Sequence, residues 1–129
     1  LEDVIAALDD PNTVIIDTRA DKEESGEETL KGAFGPGKIE GAVHLNWTSA
    51  VNEDTTLKTK EELEAIYGSL RGKNIITYCQ SGVRSAHTWL VLTEILGFEN
   101  VKNYDGSWLE YSYEVYEKKN ALARIENGQ

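Results

Sequence analysis

The sequence predicts an α/β fold with a central, mainly parallel sheet flanked by helices, and three observations carry that prediction. Apolar runs alternate with amphipathic ones in the order helix, strand, loop, strand, helix, strand, helix, strand, helix. Lys73-Asn74-Ile75-Ile76-Thr77-Tyr78 is β-rich and nearly continuous in apolar character, as a parallel strand buried on both faces requires. A helix-like stretch follows closely, with Ala86, Trp89, Leu90, Val91, Leu92, Ile95 and Leu96 around most of its circumference and Gly97 as its stop. That distribution predicts a largely buried helix.

The remaining elements follow in order. Glu2 to Leu8 reads as a first helix, ended by Asp10-Pro11-Asn12. Thr13 to Asp17 is the first buried strand, and Ala42 to Leu45 a second, shorter one. Between them Asp21 to Lys38 forms a long, acidic, Gly-containing connection, the kind of segment that either borders a functional site or is a solvated surface loop. Thr59-Lys60-Glu61-Glu62 has capping-box form and opens a helix through Tyr67. Val101 to Tyr104 is a late strand, and Ser107-Trp108-Leu109-Glu110 repeats the capping-box pattern at the start of a last helix toward Lys118. The pattern divides the chain into one domain, residues 1–119, and a polar tail, residues 120–129, expected to fray.

Composition narrows the classes of function. At 129 residues with 40% apolar side chains, the chain can bury a core of its own. The 23 acidic against 13 basic side chains give a net charge of −10, which argues against nucleic acid and anionic membrane surfaces as partners. An anionic ligand has to be attracted by local positive potential alone. A single cysteine excludes an internal disulfide framework. No apolar stretch is long enough to span a bilayer and no signal peptide is visible, so a cytoplasmic location is the expectation. With no methionine in the chain, Leu1 is not an initiator, and the sequence reads as a processed chain or an excised piece.

Chemistry concentrates at Cys79. It lies between the Lys73–Tyr78 strand and the following helix, in Cys79-Gln80-Ser81-Gly82-Val83-Arg84-Ser85. A free cysteine by itself is usually a small buried hydrophobe. A strand-to-helix turn changes that expectation, because unpaired N–H groups converge there at the positive end of the helix dipole and stabilise an anion. Gly82 permits the tight curvature and Arg84 places a permanent cation near the loop. The thiolate is the reactive species, so this setting predicts a depressed thiol pKa and a nucleophile that needs no adjacent general base.

With these residues in view, the sequence resembles the rhodanese sulfurtransferases. Cys79-Gln80-Ser81-Gly82-Val83-Arg84 is similar to their six-residue active-site loop, and Val14-Ile15-Ile16-Asp17-Thr18-Arg19 to their first-strand Asp-x-Arg signature. Gly37-Lys38-Ile39-Glu40-Gly41-Ala42 resembles the Gly-His-Ile-Pro-Gly-Ala segment, with Lys38 and Glu40 in place of His and Pro. Tyr104-Asp105-Gly106-Ser107-Trp108-Leu109-Glu110 is similar to the closing motif of the carboxyl-terminal, catalytic half of two-domain rhodaneses.

The resemblance implies a three-layer rhodanese-like fold and the carboxyl-terminal domain of a tandem protein with a second rhodanese domain. It further implies sulfane-sulfur transfer through a Cys79 persulfide, from thiosulfate or a related small anionic donor to cyanide or a thiol. Gln80, Ser81, Gly82, Val83, Arg84 and Ser85 would bind substrate, Asp17, Arg19 and Trp108 would support the site, and no metal or organic cofactor is implied. Phosphatases of this fold group carry five residues between Cys and Arg, whereas four separate Cys79 from Arg84, so a phosphatase is the weaker reading. An arsenate reductase would need a further cysteine. A rival of another class is a non-catalytic or redox-sensing rhodanese module that binds a partner protein.

Two departures from the thiosulfate-specific enzymes stand out: Ser81, and by alignment Glu23, occupy positions where those enzymes carry cations. Of the other singled-out residues, Tyr78 is expected beneath the loop and Trp108 in the core or along the pocket wall. His44 and His87 lack metal-ligand spacing and are expected to be satisfied structural histidines.

Overall fold

The computed structural model describes residues 1–128. In chain order they form α1 (Glu2–Ala7), β1 (Thr13–Asp17), α2 (Asp21–Glu24), β2 (Lys38–Ile39), β3 (Val43–His44), α3 (Lys60–Tyr67), β4 (Asn74–Tyr78), α4 (Val83–Leu90), β5 (Val101–Asn103), α5 (Ser107–Ser112) and β6 (Ile125–Glu126). The four strands of the main sheet lie in the order β3-β1-β4-β5, all parallel, with Ile15 opposite Ile76 and Ile76 opposite Lys102. β1 and β4 are central because their isoleucines have an apolar partner layer on either side. Alternation sends Ile15 and Ile76 to one face, where Val4, Ala7, Tyr78, Trp108 and Tyr111 pack, and Ile16 and Ile75 to the other, against Leu63, Tyr67, Val91, Leu92, Leu96 and Phe98. The result is the expected three-layer α/β arrangement.

α3 starts as its capping box predicts: Glu62 N donates to Thr59 Oγ1 at 3.2 Å and Thr59 N to Glu62 Oε1 at 3.0 Å. The second box does not form. Ser107 sits at φ +49 as the first residue of α5, and its hydroxyl donates to Tyr104 O at 2.7 Å instead of capping the helix. Glu110 turns away as well, accepting from the Tyr104 hydroxyl at 2.5 Å. The same motif serves a tertiary contact rather than a local one.

Three other expectations are corrected. α4 packs along one side only. Ser85 and Thr88 are buried and the helix continues through a π turn over Val91–Ile95, but Val83 is 75% and Leu90 46% exposed, because α4 belongs to an outer layer with water behind it. The Asp21–Lys38 connection is not structureless, since it holds α2 and leads into β2. The tail is tied down rather than frayed: β6 pairs antiparallel with β2, Ala123 is buried, and Arg124 binds both Asp9 at 2.7 Å and Glu40 at 2.8 Å. Its last residue, Gln129, lies outside the described residues.

β1, β4 and β5 run in the same direction, so Asp17, Tyr78 and Asn103 end them along one edge of the sheet. The segments that follow these residues, carrying Arg19, Cys79 and Ser107, are thereby gathered at the carboxyl ends of the strands, where open α/β sheets form ligand sites.

Candidate active site

Cys79 is the first residue beyond β4, and the chain at its back is held by α5. Cys79 N donates to Ser107 Oγ at 3.1 Å, Trp108 N donates to Cys79 O at 2.9 Å, and Leu109 N donates to Gln80 O at 3.0 Å. Gly82 then turns the chain at φ +94, a conformation that costs glycine little, and a Cβ there would stand 3.0 Å from Asp105 O. The turn directs Gly82 N to within 3.1 Å of Cys79 Sγ, while Asn103 Nδ2 holds Gly82 O at 3.1 Å. α4 begins at the next residue, so its amino terminus opens on the sulfur.

Cys79 is 1% exposed. Burial alone pushes its thiol pKa up, but hydrogen bonds from the Ser85 hydroxyl and from the N–H groups of Ser85, Ser81 and Gly82 outweigh burial, and the thiol titrates below its usual range. Ser85 Oγ lies 3.4 Å from Sγ and 3.1 Å from Gly82 O. Its single proton favours the sulfur when the sulfur is ionised. The loop is thus an anion cradle made of backbone dipoles and one hydroxyl.

The sequence-predicted residues divide in their roles within this geometry. Cys79, Gly82 and Ser85 meet at the sulfur. Ser81 and Val83 are exposed and Gln80 half-buried, so what Ser81 brings to the sulfur is its N–H. Arg84 is matched rather than free: its Nη1 and Nη2 donate to the two carboxylate oxygens of Glu23 at 2.7 and 2.9 Å. Glu23, on α2, is 3% exposed, and its hydrogen bonds are the main reason that Arg84 stays more firmly protonated than usual.

Asp17, Arg19 and Trp108 form the floor. Arg19 Nε and Nη2 donate to the Asp17 carboxylate at 2.9 and 2.7 Å, and Nη2 also donates to Gly37 O at 2.7 Å. The guanidinium carbon stands 4.9 Å above the Trp108 ring and 5.4 Å from the Tyr78 ring. Tyr78 OH donates to Asp17 Oδ2 at 2.9 Å and accepts from Ile39 N at 3.0 Å. Trp108, 1% exposed, is a core residue, and its Nε1 secures the Asp21–Lys38 connection by donating to Gly35 O at 3.0 Å.

His44 has a partner, since its Nε2 lies 2.8 Å from Arg19 O. His87 departs from expectation. Its Nδ1 is buried without a hydrogen-bond partner among the described residues, burial pushes its pKa down, and the ring packs edge-on to Trp47 at 5.3 Å. Among the described residues no three or more His, Cys, Asp or Glu side chains are grouped so as to hold a metal ion, and no helix is long and apolar enough to cross a membrane.

Sequence reasoning missed three contributors. Ser107 was concealed by its capping-box pattern, and Asn103 gave no signal at the end of a short strand. Glu23 was noted only for the charge that it lacks, because nothing local shows that a one-turn helix brings its carboxylate to Arg84.

Comparison with known proteins decides the family, since the rhodanese-like domain profile matches residues 1–114. The chain belongs to the rhodanese family. Among curated proteins, it is 44% identical over 119 residues to a Mycobacterium tuberculosis protein named "Putative thiosulfate sulfurtransferase", covering 85% of this chain and 42% of that protein. It is 43% identical over 106 residues to the sulfur carrier protein TtuD of Thermus thermophilus, covering 75% of this chain and 37% of that protein. This rhodanese domain therefore spans about two fifths of the length of the curated relatives it matches. Among solved structures, an EanB variant in complex with ergothioneine superimposes with a TM-score of 0.81 at 22% identity, over 100% of this chain and 31% of that one. That likeness bears on the fold.

Proposed function

We propose that this rhodanese domain is a sulfurtransferase that carries sulfane sulfur on Cys79. The observation that carries the reading is the cradle of Gly82 N–H and the Ser85 hydroxyl about Cys79 Sγ, at 3.1 and 3.4 Å, which favours an anionic sulfur. The Cys79 thiolate attacks the outer sulfur of a donor such as thiosulfate. A new S–S bond forms, the donor S–S bond breaks, and its electron pair leaves on sulfite. The resulting persulfide anion then loses its outer sulfur to cyanide or a thiol, which regenerates the thiolate. This double displacement predicts ping-pong kinetics and consumes no cofactor.

In this reading Ser81, Gly82 and Ser85 stabilise both the thiolate and the persulfide through their N–H groups, Gln80 and Val83 line the approach, and Arg84 adds a cation moderated by Glu23. Asp17, Arg19 and Trp108 hold the floor rigid. A second rhodanese domain in the full-length protein is the context that the longer relatives suggest, and the resemblance of Tyr104–Glu110 to the closing motif of a carboxyl-terminal half is the reason to expect it on the amino-terminal side. The rival reading, a redox-sensing or partner-binding module, predicts a thiol that takes up no sulfur from a donor. A phosphatase would hydrolyse p-nitrophenyl phosphate, and the four-residue spacing between Cys79 and Arg84 disfavours it. Steady-state assay with thiosulfate and cyanide tests the proposal: parallel-line kinetics with thiocyanate release support it, and no thiocyanate from any sulfane-sulfur donor overturns it.

A further inference from the structure

The Glu23–Arg84 pair bears on which sulfur donor the site accepts, an inference that rests on the sulfurtransferase reading above. Arg84 is the cation closest to Cys79 in the chain, and on its own it would draw anions to the sulfur. Both of its terminal nitrogens, however, are committed to Glu23 in a bidentate contact at 2.7 and 2.9 Å. The carboxylate is 4% and the guanidinium 25% exposed, so water screens the pair poorly. Glu23 Oε1 is also fixed locally, accepting from Ala20 N at 3.3 Å, which anchors the acid to α2 independently of Arg84.

Counted at the site, thiolate, guanidinium and carboxylate sum to one negative charge, in a chain whose net charge is −10. An approaching dianion is repelled by that sum. A donor of lower total charge is repelled less.

We infer that Glu23 is a specificity-determining residue: by cancelling Arg84 it turns the site from dianionic thiosulfate toward the less charged persulfide of a thiol without acidic groups, R–S–SH. The transfer is balanced without further reactants. Cys79–S⁻ attacks the outer sulfur of R–S–SH, the new S–S bond forms as the donor S–S bond breaks, and the electron pair leaves as R–S⁻, giving Cys79–S–SH. Glu23 acts through Arg84 and touches no reacting atom.

The test uses Glu23→Gln, which keeps an oxygen for Arg84 and removes the charge, with thiosulfate and the persulfide of 2-mercaptoethanol, which carries at most one negative charge, as the two donors. At low ionic strength the ratio of kcat/KM for thiosulfate to that for the persulfide should rise roughly tenfold, mainly through the thiosulfate KM, and the rise should shrink at high salt. If Glu23 merely holds the loop in shape, both donors change together and the ratio stays put, which overturns the inference. The double variant Glu23→Gln with Arg84→Gln returns the site to one negative charge and should bring the ratio back near its original value. A ratio that stays high in the double variant also contradicts the inference. Should neither donor load Cys79 in the unsubstituted chain, the sulfurtransferase reading fails on its own terms. The charge cancellation is still read from the pH dependence of Cys79 alkylation, which Glu23→Gln should move to lower pH and which an unmoved profile would refute.

Discussion

The Ser107 hydroxyl joins the end of β5 to the start of the Cys79 loop, accepting from Cys79 N at 3.1 Å and donating to Tyr104 O at 2.7 Å. Both partners are buried; Ser107→Ala strands the Cys79 N–H, while Tyr104 O still accepts from the backbone N–H of Ser107 at 3.1 Å, and the loss should cost about 1–3 kcal/mol. Ser107 also holds φ +49. Ser107→Gly loses the same hydroxyl but relaxes that backbone, and should be less destabilising than Ser107→Ala. Urea denaturation of the two variants checks the order. Equal stabilities would mean that the backbone stores no strain there.

At Gly82 the expected outcome is a site lost more completely than the fold. Any side chain must adopt φ +94 and place its Cβ 3.0 Å from Asp105 O, so Gly82→Ala has to move the turn. The displacement takes the Gly82 N–H away from Sγ. Sulfur loading should fall by at least an order of magnitude, while unfolding free energy drops by roughly 1–3 kcal/mol. Unimpaired loading in Gly82→Ala would remove the backbone cradle from the mechanism.

The pH dependence of Cys79 follows from opposing effects. Burial raises its pKa, the Ser85 hydroxyl and the N–H groups of Ser85, Ser81 and Gly82 lower it, and the lowering prevails. Iodoacetamide alkylation should therefore rise through a midpoint below that of an ordinary thiol, and Ser85→Ala should shift the midpoint upward. The same group links to stability. Its native pKa lies below the unfolded one, so the contribution is fully present above the unfolded-chain thiol pKa and is lost as pH falls through the depressed native value. A Ser85→Ala midpoint at or below the original would contradict the assignment of this hydroxyl.

Beneath the loop, Asp17 and Arg19 are 0% and 2% exposed and neutralise one another. Arg19→Met leaves the Asp17 charge buried without its partner and should cost about 3–5 kcal/mol. Adding Asp17→Asn should recover part of that loss, because the remaining group is polar but uncharged. Thermal and urea unfolding of the single and double variants give the comparison, and a double variant no more stable than Arg19→Met would contradict the charge argument.

What could be read from the sequence was what local physics determines. β1 and α3 stand where their apolar runs and the Thr59 capping box put them, and the strand-to-helix setting of Cys79 was visible because strand, glycine and helix are contiguous. What could not be read depends on residues far apart in the chain. Glu23 and Arg84 meet across 61 residues, Ser107 and Cys79 across 28. Ile125–Glu126 finds its strand partner in Lys38–Ile39, so a tail that is polar by composition is ordered by pairing. The Ser107 motif shows the hazard most plainly, since the same residue types serve a helix cap or a tertiary brace, and only the neighbouring β4–α4 loop decides between them.

The central claim is that Cys79 carries the transferred sulfur, and intact-protein mass spectrometry after exposure to a sulfane-sulfur donor tests it most directly. Incubation with thiosulfate and, separately, with glutathione persulfide should add one sulfur atom to the chain with at least one of the two, at Cys79 by peptide mapping. Cyanide should then remove it with release of thiocyanate, and Cys79→Ser should acquire none. A chain that takes up no sulfur from either donor, or a Cys79→Ser variant that still transfers it, would contradict the account.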